Sequence, residues 1–441
     1  MVKIGIWTKL AALLLGLALN GNTLASEAGQ GPGAGDQVAR SRTRVQGFQS
    51  PELDFQLLRQ LGSVAFGGAS VGESLDAASR IGENDPDSWV AVFADLGRRQ
   101  EADGAARAAR GHKVSARDQL WKAANSYRAA EYFADFKDPR HQALGLKSRE
   151  AFVKALSFTD YRFEVLEIPF EGQKLPAYFI SPHRDGKKHK TIMVMSGYDG
   201  TLEEIFLAPG RCALERGYNL FLFAGPGQMD TLRFHPRSVF RPDFEKPISA
   251  ALDHLLARPD VDARRVALNG ISFGGYFAVR AAVFDTRIQA LIANSPIVDW
   301  HRYLTGFIGF DPAQMPNEND FTPETIAQVP DRFMNPVTKR MSVMMMARYG
   351  RPSFIATYQA VRNYTVREAD LKNIRCPVLA LVGAGEGAEP RRQLERFANS
   401  VSGPVTRYVF TTAEGADGHC QVGNPTLSCA VMFDWLDEIF Q

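Results

Sequence analysis

The chain has 441 residues, more than one compact core usually holds, so one large domain plus a smaller one or a long insertion is expected. A net charge of +2 with no basic block argues against nucleic acid as a partner. Four cysteines (Cys212, Cys376, Cys420 and Cys429) are too few for a disulfide framework, so four small buried thiols are expected, with a bridge between the near neighbours Cys420 and Cys429 as the alternative.

Residues 1–26 read as a secretory signal, with Lys3 and Lys9 before the apolar run Leu10 to Leu19 and a cleavage site at Thr23-Leu24-Ala25. An uncleaved N-terminal anchor is the rival reading. The run is short for a membrane-spanning helix, and no later stretch is apolar enough to span, so export to a periplasm or beyond is expected. Residues 27–50, rich in Gly, Ser, Gln and Arg, have little to bury and are expected to be a flexible lead-in without functional residues.

From 51 to 156 apolar residues recur at helical spacing (Leu53, Leu57, Leu58, Leu61; Trp89, Val92, Phe93, Leu96), which predicts a helical cap domain. Ser115 is expected to cap the helix that carries Trp121, Tyr127 and Phe133, aromatics suited to a core and also to a pocket wall. At Phe163 the period changes. Phe163 to Ile168 and Leu175 to Ile180 flank Glu171-Gly172-Gln173-Lys174 and predict a hairpin that opens a catalytic domain over 157–441.

Strands then alternate with helices: Thr191 to Met195, a helix over about 203–216, Asn219 to Phe223, a helix over about 244–257, and a strand at Val266-Ala267-Leu268. Beyond Ala290 to Asn294, residues 299–368 contain helical pieces only and read as a lid insertion, in which the Met341 to Met346 run is either core or an adaptable apolar wall. The pattern resumes at Pro377 to Val382 and Val405 to Phe410 and closes on a helix over about 426–440. Such alternation specifies an α/β fold whose mostly parallel, doubly wound sheet is covered on both faces.

Gly270-Ile271-Ser272-Phe273-Gly274 lies between the strand and a helix-like run, the setting of a nucleophile elbow. A sharp strand-to-helix turn needs glycine on both flanks and lifts the serine hydroxyl clear of the sheet. That hydroxyl is a poor nucleophile until an imidazole takes its proton, and the imidazole needs an acid to fix its tautomer. In this fold the order is Ser, acid, His, with the acid after a late strand and the His after the last. His419 is the one histidine of eight in that slot. Glu386, three residues after Gly383, is the candidate acid and Glu389 its rival. The amides of Phe273 and Tyr198 are the expected oxyanion donors. Asp199 reads either as a turn-capping residue or as an auxiliary acid that faces the pocket and handles a substrate hydroxyl or ketone.

Trp121 to Phe133, Ile168-Pro169-Phe170-Glu171-Gly172, Gly197-Tyr198-Asp199-Gly200-Thr201, Gly225-Pro226-Gly227-Gln228 and Gly270 to Gly275, in that order, resemble the α/β-hydrolases with an N-terminal helical cap. That group includes FrsA-like esterases, the fungal heptaketide hydrolases of yellowish-green pigment synthesis and the dihydroxypseudooxynicotine hydrolase of nicotine breakdown. The resemblance spans roughly 110–440. It implies Ser272 as nucleophile, His419 as base, Glu386 as triad acid and Asp199 as a loop acid. Ala224 stands where the group has Asp before Gly-Pro-Gly-Gln, and Met229 where it has Gly after it, so the substrate does not transfer.

The expected function is hydrolysis of a small or medium apolar carbonyl compound, by cleavage of a C–C bond in a β-dicarbonyl or aryl ketone, with ester hydrolysis and acyl transfer as alternatives. A catalytically silent binding module is the rival from another class, although such modules usually lose the Ser, the His or the oxyanion glycines. No cofactor or metal is expected, because no His or Cys pair shows ligand spacing. The expected partner is a small-molecule substrate, and a homodimer is left open.

Overall fold

In the computed structural model, which describes residues 37–441, eight strands form one sheet in the order β1-β2-β4-β3-β5-β6-β7-β8. The strands are β1 (Arg162–Phe170), β2 (Gln173–Ser181), β3 (His189–Met195), β4 (Asn219–Phe223), β5 (Val261–Ile271), β6 (Ala290–Asn294), β7 (Val378–Gly383) and β8 (Val405–Phe410). The β1–β2 hairpin and the β2–β4 pair are antiparallel; from β4 through β8 every pairing is parallel. Parallel strands are joined by helical crossovers that cover both faces, so their residues are apolar throughout: β4 and β6 are buried along their whole length. The signal-like segment and residues 27–36 lie outside the described residues.

Among the described residues five α-helices precede the sheet: α1 (Pro51–Gly62), α2 (Val71–Ser79), α3 (Pro86–Ala109), α4 (Lys113–Phe133) and α5 (Pro139–Leu156). Three of them start in one way. Ser50, Asp85 and Asp138 each accept a first-turn N–H on the side chain, and the proline that follows each has no N–H to leave unpaired. The start of α4 differs from expectation. Ser115 lies inside the helix, which begins at Lys113 after the left-handed turn at Gly111 and has no side-chain cap. Trp121, Tyr127 and Phe133 are buried in the core. In α1 the polar face is buried as well, with Asp54, Gln56 and Gln60 covered beside Leu53 and Leu57.

The cap is locked to the sheet by buried charge. Arg233, just after β4, donates to Glu131 of α4 at 2.9 and 2.7 Å and to Glu203 and Asp230 at 3.0 Å each, and all four residues are buried. Burial, with the neighbouring Glu203 charge, pushes the Asp230 carboxyl well above its ordinary range. Removing one partner from such a set leaves uncompensated buried charge, which is why it fixes the domain contact.

Three expectations are corrected. Residues 37–50 are not a loose lead-in: Val38 is buried, the Val38 and Ala39 amides donate to Gly306 O and Glu386 O at 3.1 Å, and Arg40 O accepts from the His419 amide at 2.6 Å. Arg42 N and Thr43 Oγ1 both donate to Asp417, at 3.2 and 2.5 Å. This strap has little apolar surface to bury, and the polar groups of the late loops order it instead. The cysteine pairing differs too, since Cys212 and Cys429, 217 residues apart, form a disulfide while Cys376 and Cys420 are free. The helix expected over 203–216 breaks at Ala208, which is extended because Pro209 disfavours helical geometry in the residue before it. Of the two readings of the Met341 to Met346 run, core holds: Met346, in the helix Pro336–Tyr349, packs with Phe321, Ile326 and Tyr358, and none of Met341 to Met346 lines the cavity beside Ser272.

Candidate active site

The carboxyl ends of the parallel strands carry the site, as is usual for open α/β sheets. Ser272 follows β5 and precedes α6 (Phe273–Phe284), with φ 61° and ψ −128°, a conformation that costs a non-glycine residue about 1–3 kcal/mol. The turn is tight enough that a Cβ on Gly270 would run into the Gly274 carbonyl. Its strain persists because the Ser272 amide is pinned to Asn294 O at 2.5 Å.

His419 Nε2 lies 2.8 Å from Ser272 Oγ, and His419 Nδ1 lies 2.5 Å from Glu386 Oε2. Glu386 sits in the turn after β7, where its other oxygen accepts the Gly383 amide at 2.9 Å. Glu389 is turned away and accepts instead from Arg392 and Gln393, at 2.9 and 3.0 Å. Burial would lower the imidazole, but the Cys420 and Glu386 side chains raise it, which favours the cation that forms when the ring takes a proton. Tyr303, on the helix Trp300–Ile308, donates to Glu386 Oε2 at 3.1 Å. Burial and that carboxylate raise the phenol well above its ordinary value, so it remains a donor.

Phe273 is the first residue of α6, and a first-turn N–H has no acceptor within its own helix. The Gly197-Tyr198 backbone comes alongside: a Cβ on Gly197 would stand 2.5 Å from Phe273 N. Tyr198 is held from behind by Arg348, whose guanidinium donates to Tyr198 O and lies 4.6 Å from the ring centroid. The loop after β3 therefore lies against the start of the helix that follows Ser272.

Ser272 and His419 open onto a cavity of about 120 Å³ with Arg40, Arg59, Asp199 and Glu204 among its lining residues. The helix break described above places Ala208 and Pro209 on its lining as well. Asp199 is not a neutral acid. Burial would raise its carboxyl, but Arg59 and Arg40 outweigh this and hold it down to about 2. It faces the cavity as a carboxylate, able to accept a hydrogen bond and unable to donate one. Arg40, Arg59 and Tyr303 were not foreseen. Arg40 sits in a stretch with no periodicity, Arg59 on the polar face of a helix read for its apolar face, and Tyr303 in an insertion read only as helical. Among the described residues no cluster of His, Cys, Asp and Glu could hold a metal, and no helix is long and apolar enough to cross a membrane.

The prolyl oligopeptidase family matches residues 245–331, the stretch that contains the elbow. The chain is 29% identical over 428 residues to the alpha/beta hydrolase psoB of Aspergillus fumigatus, covering 89% of this chain and 94% of that one. It is 37% identical over 256 residues to the 20-hydroxy-prefusarin hydrolase FUS2 of Gibberella moniliformis, covering 56% of this chain and 61% of the relative. In fold it is similar to 2,6-dihydroxy-pseudo-oxynicotine hydrolase, with a TM-score of 0.67 at 21% identity over 86% of this chain and 95% of that one. With the sheet order 1-2-4-3-5-6-7-8, a strained serine after β5 and relatives of these kinds, the chain has the α/β-hydrolase fold and is a hydrolase.

Proposed function

We propose that this hydrolase works through Ser272 as nucleophile, His419 as general base and Glu386 as the acid that orients it, with the Phe273 and Tyr198 amides as oxyanion donors. The continuous hydrogen-bonded line from Ser272 Oγ through His419 to Glu386, at 2.8 and 2.5 Å, carries the reading. Its substrate is a small or medium apolar carbonyl compound, a β-dicarbonyl compound or an aryl ketone, cleaved at the C–C bond beside a carbonyl carbon. What favours this over ester hydrolysis is the set of charged groups that lines the same cavity as Ser272. An ester's alkoxide departs with the proton that His419 returns, whereas a carbon leaving group needs its charge moved onto an oxygen that pocket groups can hold.

Asp199→Asn tests this choice. The carboxylate accepts a hydroxyl or enol proton and keeps Arg40 and Arg59 in place. Its loss is expected to lower kcat/KM for a β-diketone by about 100-fold and for an activated nitrophenyl ester by less than about 10-fold. Parallel losses would make Asp199 a loop-shaping residue, and a wild type that cleaves only esters would decide for an esterase.

We also propose that the chain is exported. The apolar run at 10–19 after Lys3 and Lys9 supports this, as does the Cys212–Cys429 bridge, since disulfides persist in oxidising compartments. Fractionation of expressing cells is expected to recover a chain shortened by about 25 residues outside the cytosol; a full-length chain held in the cytosol would overturn the reading.

A further inference from the structure

The strap brings one charged side chain into the cavity. Arg40 comes from a stretch whose backbone is fixed on both sides by the catalytic loops, at Ala39 N to Glu386 O and at His419 N to Arg40 O. Its guanidinium is set among the rings of Phe55 and Phe307, 5.4 and 6.0 Å from their centroids, and reaches Asp199 Oδ2 at 3.4 Å and Glu52 Oε2 at 3.8 Å.

The second arginine differs in its commitments. Arg59 donates through two nitrogens to Glu204 at 2.5 Å each and to Asp199 at 3.3 Å, so its fork is taken by a bidentate carboxylate. Arg40 makes only long contacts with carboxylates and keeps 22% of its side-chain surface exposed, against 9% for Arg59. A guanidinium on the cavity wall with no short ion pair is able to take another oxygen. Asp199 beside it is an acceptor, so the two together match an enol: a proton for the carboxylate and an oxygen for the guanidinium.

We propose that Arg40 and Asp199 form the subsite for the leaving group's oxygen, and that Arg40 holds that oxygen as an enolate while the C–C bond breaks. Ser272 Oγ adds to one carbonyl carbon of a β-dicarbonyl compound as its proton passes to His419 Nε2. The tetrahedral intermediate collapses by breaking the bond to the central carbon. The electron pair of that bond is delocalised onto the second carbonyl oxygen, against Arg40. His419 Nε2 then returns its proton to the central carbon, which releases a ketone, and water hydrolyses the acyl group from Ser272 to give the acid. The subsite lies on a segment outside the sheet and the cap helices, so the N-terminal strap contributes a catalytic residue.

This subsite rests on the C–C reading above, and the test separates the two. Kinetics are measured for wild type, Arg40→Met and Arg40→Lys on a β-diketone and on a nitrophenyl ester of the same acyl group, with thermal melts of each protein. Arg40→Met keeps the strap's backbone bonds. It is expected to lower kcat for the diketone by about 100-fold and for the ester by less than about 5-fold. Arg40→Lys keeps the charge without the fork and is expected to recover part of the diketone rate. Equal losses on both substrates, or no loss on the diketone, would overturn the subsite and leave C–C hydrolysis standing. A wild type inert toward the diketone would overturn both.

Discussion

Ser272→Ala is expected to lower kcat/KM by about 10⁴ to 10⁶-fold on any substrate the enzyme turns over, because among the described residues Ser272 supplies the hydroxyl that His419 Nε2 bonds. The fold is expected to survive. Alanine keeps the Cβ that the left-handed turn already accommodates, and the amide bond to Asn294 O is a backbone interaction. The residual rate comes from the oxyanion donors and substrate binding, which the substitution leaves in place. A fluorophosphonate is expected to label the wild type at Ser272 and to leave the variant unmodified, as read by peptide mass mapping. Labelling at another residue, or an alanine variant with wild-type turnover, would end the serine-hydrolase reading.

Glu386→Gln is expected to cost about 10³ to 10⁴-fold in kcat, and Glu389→Gln less than about threefold. The difference follows from what each carboxylate touches. Glu386 takes the Nδ1 side of His419 at 2.5 Å and is itself fixed by Gly383 N and Tyr303 OH. An amide there is neutral, so it no longer stabilises the imidazolium, and its NH₂ group favours the tautomer with the proton on the wrong nitrogen. Glu389 bonds only within its own helix turn, to Arg392 and Gln393. The check is kcat for both variants on one substrate. Comparable, mild effects would mean that another group orients His419.

The elbow, the order of strands and the slots for acid and base were legible because each depends on local pattern. A glycine on either side of Ser272, an apolar strand before it and a helix after it are consequences of backbone sterics within a few residues, so the sequence carries them openly. The same holds for the loops after β7 and β8: once the strands are located, topology puts Glu386 and His419 at one edge of the sheet. Between Glu386 and Glu389 the sequence could rank the two but not choose, since a helix begins between them and only its direction decides which carboxylate turns inward.

What the tertiary structure decided lies at long sequence separation or in charge. Cys429 found its partner 217 residues away rather than nine, because the packing of the last helix on the helix after Pro209, and not proximity along the chain, sets which sulfurs meet. Arg40 and Asp199 are 159 residues apart, and nothing in a Gly- and Arg-rich stretch marks one arginine as the one that reaches a cavity. The ionisation of Asp199 is likewise a property of its surroundings: the residue is named by the sequence, but whether it is an acid or a carboxylate depends on two guanidiniums brought from α1 and from the strap. By itself, then, the sequence determined the backbone frame and the hydroxyl–imidazole–carboxylate order, which follow from short-range sterics and periodicity. The tertiary structure alone decided the charge state and lining of the cavity, because electrostatics in a buried site sums over groups that only folding brings within a few ångströms.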